Sequence, residues 1–333
     1  MPLARDIVDS MQKKSNQPRQ HHYLPRFYLE GFCDPVWQER EGKGVIWVYE
    51  KGKPIRSSTP DREARERDFY AFEVDGVRNV EAEEQLSRVE QEAAPIIKRL
   101  HEIGHTLTAI EKAWLALFAG TMYTRTPAGR KRLETVIGPA VSRLLKTAAN
   151  DPDEFRALCG DVNPAATASV NLEEVREDIL EGRGGSIARQ PGFSLASVLH
   201  AGQMVGDALQ SFDWQMLYAS DSEFFVTSDS PIVTTLEEDQ KTVRFTTGFE
   251  APGADVFFPL GKDVCLRMRK GIEPGPAVLP DRGVRYLNKM TMICAHQRVY
   301  AGERSTKLQA LFNKRGCEVS IADFQPMWKG KPI

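Results

Sequence analysis

Near the start of the chain, residues 20–29 read QHHYLPRFYL. His21 and His22 are two of the six histidines among 333 residues, and Arg26 follows close behind. Imidazole titrates near neutrality, which suits general acid–base work. Guanidinium grips oxyanions through paired N–H donors. Adjacent histidines on an extended segment point to opposite faces, so one of the two enters a given site. Three further segments set a charge beside apolar sequence: Glu83 and Glu90 in EEQLSRVEQEAAPII, Arg125 in MYTRTPAGR, and Asp229 in FFVTSDSPI. If these converge, imidazole or a cation held by Glu83, Glu90 and Asp229 activates water, and the arginines stabilise an anionic transition state. That set points to a phosphodiester hydrolase of nuclease type, with His21, His22, Arg26, Glu83, Glu90, Arg125 and Asp229 as the reacting group. Mg²⁺ or Mn²⁺ is the cation such carboxylates would take, and a nucleic acid or nucleotide the partner. The same residues also fit a structural ion-pair network inside a non-catalytic binding or effector module, or a sensor of small anions or nucleotides.

Other motifs fall short. His22-Tyr23-Leu24-Pro25 has the outline of an HNH nuclease motif, but residues 30–60 supply no second histidine. His101 and His105 are four apart, but Gly104 between them weakens a helix and no third ligand follows. They read as a helix C-terminus with favourable dipole contacts. No G-x-S-x-G, P-loop or dinucleotide-binding glycine pattern occurs. Five scattered cysteines without a C-x-x-C pair predict free thiols and a reduced, cytoplasmic setting. No run of 18 apolar residues predicts a membrane span, and the first residues lack a signal-peptide core. A net charge of −2 argues against coating nucleic acid by bulk electrostatics, although residues 126–147 and 262–298 are locally basic.

The elements that must position these residues follow from periodicity. GVIWVYEKGKPIRSS predicts a hairpin turning at Lys51-Gly52-Lys53-Pro54. Leu86, Val89, Ala93, Ile96, Ile97 and Leu100 form one face of a helix over 80–100. At about 100° per residue, Glu83 and Glu90 share an edge of that face, whereas Glu81, Glu84 and Glu92 lie opposite. Thr108 and Glu111 make a capping box ahead of AWLALFAGTMY, a helix apolar nearly all round and therefore central. It stops at Arg125, because Thr126 and Pro127 start the next helix. Further helices are expected over 128–148, 152–158, 171–182, 194–211, 282–295 and 307–313. Short strands are expected in FDWQMLYAS, EFFVTS, PIVTTL, TVRFTTG, DVFFPL and DVCLRMRK. The fold class is α+β: a helical middle segment packed against a mixed or antiparallel sheet built from N- and C-terminal strands. Residues 1–19 read as a polar tail and 20–325 as a single domain.

The motifs QHHYLPRFYLEGF, FYAFE, EEQLSRVEQEAAPII, MYTRTPAGR, FFVTSDSPI, FFPL and Leu287-Asn288 occur in this order. Together they resemble domain of unknown function family 4238 (DUF4238) over roughly residues 20–301. The resemblance implies a fold and a set of motif residues without implying an activity. Ala82 and Ser230 depart from the pattern, where a larger aliphatic residue and an asparagine are expected; neither removes a charge.

Overall fold

The computed structural model describes residues 20–34, 44–67, 72–74, 77–79, 81–162, 171–182, 191–239, 242–245, 249 and 253–318. The predicted polar tail, 1–19, lies outside the described residues, as do 319–325. In chain order the elements are β1 (Gln20–His22), α1 (Arg26–Glu30), β2 (Ile46–Glu50), β3 (Arg56–Ser58), β4 (Arg65–Arg67), β5 (Phe72–Val74) and β6 (Val77–Asn79). The helical middle comprises α2 (Glu81–Leu100), α3 (Ala109–Thr124), α4 (Pro127–Ala148), α5 (Pro152–Val162), α6 (Leu172–Leu180) and α7 (Pro191–Gln210). Strands β7 (Asp213–Tyr218), β8 (Thr227–Ser228), β9 (Val233–Asp239), β10 (Thr242–Phe245), β11 (Ala254–Pro259), β12 (Val264–Arg269) and β13 (Gly275–Val278) follow. Helix α8 (Asp281–Cys294), β14 (Arg298–Ala301) and α9 (Thr306–Arg315) close the described chain. This is an α+β fold.

The sequence predicts one sheet drawn from both ends; the structure divides the strands. A four-stranded sheet, ordered β3-β2-β14-β8, pairs the N-terminal hairpin with the C-terminal strands. A six-stranded sheet, ordered β10-β9-β11-β12-β7-β13, comes from residues 213–278 alone. It is antiparallel except where β13 runs parallel to β7. One expectation is corrected, and one strand was not predicted. EFFVTS yields only the two-residue β8, because Phe224 and Val226 are held by the Asn288 side chain instead of a ladder. Strand β13 went unread because Gly275 and Pro276 look like a turn.

Capping and patterning set the helices much as expected. In α2, Leu86, Ala93, Ile96, Ile97 and Leu100 are buried, while Glu84 and Glu92 are exposed. Thr108 Oγ1 accepts from the Glu111 N–H (3.2 Å) and Glu111 accepts from the Thr108 N–H (2.8 Å), the predicted capping box. Thr126 accepts from the Gly129 N–H (3.0 Å) to start α4. Helix α3 lies in the core that the 23–33 segment, α2 and strands β7, β11 and β12 share. There Phe118 packs on Phe27 and, with Tyr28 and Phe258, forms an aromatic cluster.

Helices α3 and α7 meet backbone to backbone. A Cβ added at Gly120 would stand 2.0 Å from the Gly202 carbonyl oxygen and 2.7 Å from the Gly206 nitrogen. One added at Gly206 would stand 3.0 Å from the Ala116 carbonyl oxygen. Small residues four apart on each helix let the ridges of one sit in the grooves of the other. Gly120→Leu should therefore destabilise by about 3 kcal/mol or more through overpacking against main chain. Gly283→Ala, where an added Cβ finds Leu279 at 3.5 Å, should be neutral or mildly stabilising. Urea unfolding of both variants checks this; equal midpoints would refute the close helix contact.

Candidate functional site

Helix α3 ends at Arg125, and its guanidinium turns back into the core. The side chain is 1% exposed. Nε donates to the Tyr23 carbonyl (2.8 Å) and Nη2 to the His22 carbonyl (2.9 Å), while Nη1 donates to Glu90 Oε1 (2.7 Å). The arginine thus joins the opening motif, the edge of α2 and the TRTP turn. Glu90, 27% exposed, is the carboxylate that the helical arc placed at the core boundary. A buried charge needs such partners, and the carbonyl oxygens supply the rest.

The histidine segment pairs through β1 with β4. The Tyr23 N–H donates to the Ala64 carbonyl (2.8 Å). Ala64 is buried at φ +50°, a left-handed conformation that costs about 1–2 kcal/mol for an L-residue. Its neighbour Glu63 is buried and accepts from Arg56 (2.5 and 3.0 Å) and Ser58 (2.7 Å). His21 is buried and His22 half-buried. The His22 ring hydrogen-bonds the Glu63 main chain. Burial lowers the His22 pKa, and the positive charges of Arg65 and Arg125 add to this; the Glu63 bond and Glu90 oppose it.

Asp229 is buried and serves the main chain. Its carboxylate accepts from the N–H groups of His296 (2.8 Å), Gln297 (2.8 Å) and Arg298 (2.9 Å). Burial pushes its pKa up to about 6, against the pull of those three donors and of Arg298. Tyr23 lies close enough to feel that charge; burial first, then Asp229, pushes its phenol up to about 12. Around Asp229 the TSDSP turn is similarly occupied. The Thr227 hydroxyl meets the Tyr28 hydroxyl (2.7 Å), which also reaches the Pro259 carbonyl (2.7 Å). Ser228 Oγ accepts from the Ser230 N–H (3.1 Å) and donates to its carbonyl (2.9 Å).

The structure thus gathers His22, Glu90 and Arg125 around the Tyr23 main chain, with Asp229 on the side of the Tyr23 phenol. Arg26 is not among them: its side chain is 68% exposed and pairs with Glu30 one turn on (2.7 Å). Leu24, Tyr28 and Leu29 take the buried face of that turn, which leaves Arg26 to solvent. The Glu83 side chain lies outside the described residues. His101, just past α2, pairs with Asp263 (2.5 Å) rather than with His105. Among the described residues no group of three or more His, Cys, Asp or Glu side chains could hold a metal ion. Reading the sequence missed Glu63, Arg132, Arg298 and Tyr300. Asn288, noticed only as part of a motif, takes the Val226 N–H (3.0 Å) and donates to the Phe224 carbonyl (2.7 Å). Glu63 sits in the charge-dense DREARERD, where nothing in the pattern marks one carboxylate as internal.

Arg125→Met strands the His22 and Tyr23 carbonyls together with Glu90, and should cost about 3–5 kcal/mol. Glu90→Gln keeps an acceptor at a partly exposed site and should cost about 1–2 kcal/mol. Equal losses in urea unfolding would refute this ranking. The pH dependence has two opposed parts. His22 has a lowered folded pKa, so its contribution is full above about 6.5 and falls as the unfolded chain takes up protons below that value. Asp229, raised to about 6, contributes most below its unfolded value and loses that contribution as pH rises through 6. Between pH 7 and 5, His22→Gln should therefore lose less stability than the wild type, and Asp229→Asn more. Melting curves across that window test both signs.

The chain matches the family described as Protein of unknown function (DUF4238) over residues 20–305. No curated protein and no solved structure matches it. The matched span takes in the Arg125 hub, the TSDSP turn and both larger sheets, and the chain belongs to the DUF4238 family.

Proposed function

We propose that the chain is a non-catalytic binding module whose His/Glu/Asp/Arg cluster is a structural ion-pair network. One observation carries the reading: the charged motif residues bind main chain. Arg125 is committed to two carbonyls and Glu90, and Asp229 to three N–H groups. Groups held this way set the course of the backbone; they have no slack to follow a reacting substrate. The ligand class is anionic, a nucleotide or another small phosphate-bearing molecule, met by the basic residues at the start of α4 and around β14. Among the described residues no helix is long and apolar enough to cross a membrane. The free cysteines suit a reduced, cytoplasmic setting.

One feature favours a second reading, the nuclease-like hydrolase. His22 is half-buried, held towards its neutral form, and lies close enough to Arg65 and Arg125 to feel their charge. A neutral imidazole beside cations suits a general base acting on a phosphodiester. The two readings part in one assay. Single-stranded and duplex DNA and RNA are incubated with the full chain, with and without Mg²⁺ or Mn²⁺. The binding reading expects no cleavage above the His22→Ala variant. Cleavage that His22→Ala abolishes, with melting unchanged, would overturn it in favour of the hydrolase.

A further inference from the structure

We propose that Pro276 and Pro280 keep the open edge of β13 from pairing with a second copy of the chain. The inference concerns a sheet edge and goes beyond the binding-module reading. Strand β13 ends the six-stranded sheet, and among the described residues no strand pairs with its outer side. Its register with β7 sets which main-chain groups face out. Val278 stands beside Tyr218, and the Leu279 N–H donates to the Tyr218 carbonyl (2.8 Å). Successive residues of a strand turn their main-chain groups to alternate sides. Residues 275, 277 and 279 therefore face β7, and 276 and 278 face outwards. Pro280, in extended backbone (φ −66°, ψ 157°), takes the next outward place. Proline has no N–H to give. Of the outward places 276, 278 and 280, only Val278 carries a donor. Two β13 strands laid edge to edge could thus share no more than two main-chain hydrogen bonds, one from each Val278. The Pro280 carbonyl is already taken, by the Gly283 N–H at the start of α8 (2.7 Å).

This edge is one that needs protection. Pro276 is exposed, and Val278 is 63% exposed. On the face that Val278 shares, the Tyr218 hydroxyl donates to the carbonyls of Leu100 (3.1 Å) and Glu102 (3.3 Å). That contact brings the end of α2 beside the strand, together with Ile103, 67% exposed. An open strand rimmed by apolar side chains is a template for association, and charges, bulges or a covering segment commonly blunt it. Gly275–Val278 holds no charged residue. The opposite edge of the same sheet is managed by other means: the β10–β9 register shifts between Thr242 and Val243, and β10 carries Arg244. At β13 the device is proline, which sheets tolerate at outward positions of an edge. A second observation agrees. Pro280 is the N-cap of α8 and makes no side-chain cap bond there. Serine, threonine, aspartate or asparagine would cap that helix better. The helix start concedes its preferred residue, and the edge loses a donor in return.

The test is sedimentation of the full chain over a range of concentrations, beside Pro276→Thr and the double variant Pro276→Thr/Pro280→Ser. Threonine returns an N–H to the outward place and suits a strand; serine returns one and is a favoured N-cap. The wild type should show no association that Val278→Lys alters. Pro276→Thr should self-associate about tenfold more tightly, and the double variant more tightly again, because donors return on both copies. Adding Val278→Lys to either should restore wild-type behaviour, since a lysine on the edge repels its own copy. Thermal melting checks that each variant is folded. Pro276→Thr leaves α8 untouched and decides the matter if the double variant melts early. Variants that sediment as the wild type does at every concentration would overturn the proposal. So would wild-type association that Val278→Lys abolishes, because the edge would then pair despite its prolines. Association of the variants that survives Val278→Lys would place the contact elsewhere and overturn it as well.

Discussion

A single buried guanidinium sets the course of the first described segment. Arg125 donates to two successive carbonyls, those of His22 and Tyr23, at the point where β1 gives way to the turn into α1. Main-chain carbonyls there would otherwise be buried without partners. With Tyr23 fixed, the chain delivers Tyr28 under Thr227 and Pro259, one residue from β8 of the four-stranded sheet and one from β11 of the six-stranded sheet. The two sheets are thus tied by one phenol, whose place depends on an arginine in the helical middle. Glu90 supplies the opposite charge, and its partial exposure lowers the cost of keeping an ion pair at the core boundary.

Asp229 works in the complementary sense. Arg125 gathers carbonyls and Asp229 gathers N–H groups, and both act on segments without a full ladder. The N–H groups of 296–298 lead into β14, which pairs with β2 from the N-terminal hairpin. The carboxylate therefore helps to align the strand that joins the two ends of the described chain. An apolar side chain in either place could fill volume, but could not choose which carbonyls or amides it meets. Directional partners give these segments a register, and that is the use of a buried charge with the clearest physical footing.

The helices were legible because their signals are local. The Thr108–Glu111 box, the Thr126–Pro127 start and the apolar face of α2 each lie within one or two turns of sequence. The division of the strands was not legible, since it depends on which edges meet across two hundred residues. EFFVTS has the composition of a strand, yet Asn288 captures its main chain from sixty residues away. Of the candidate site, the residues with charge beside apolar sequence were found: Glu90, Arg125 and Asp229. Arg26 shows the weakness of that rule. It stands among aromatics, but Leu24, Tyr28 and Leu29 occupy the inner side of its short helix and the arginine faces out. Glu63 and Arg298 look like surface charges in the sequence; Glu63 is buried beside Arg56, seven residues away, and Arg298, partly exposed, meets Glu50 across the four-stranded sheet.

The distances divide the polar interior into two kinds of group. The Arg125 guanidinium and the Asp229 carboxylate hold main chain at 2.8–2.9 Å, so neither can turn to another partner without releasing what it holds. The buried hydroxyls of Tyr123 and Tyr300, by contrast, have no hydrogen-bond partner. A ligand gains free energy only from groups that it satisfies better than the protein already does. A charge deep in the fold and rich in short hydrogen bonds therefore argues for architecture.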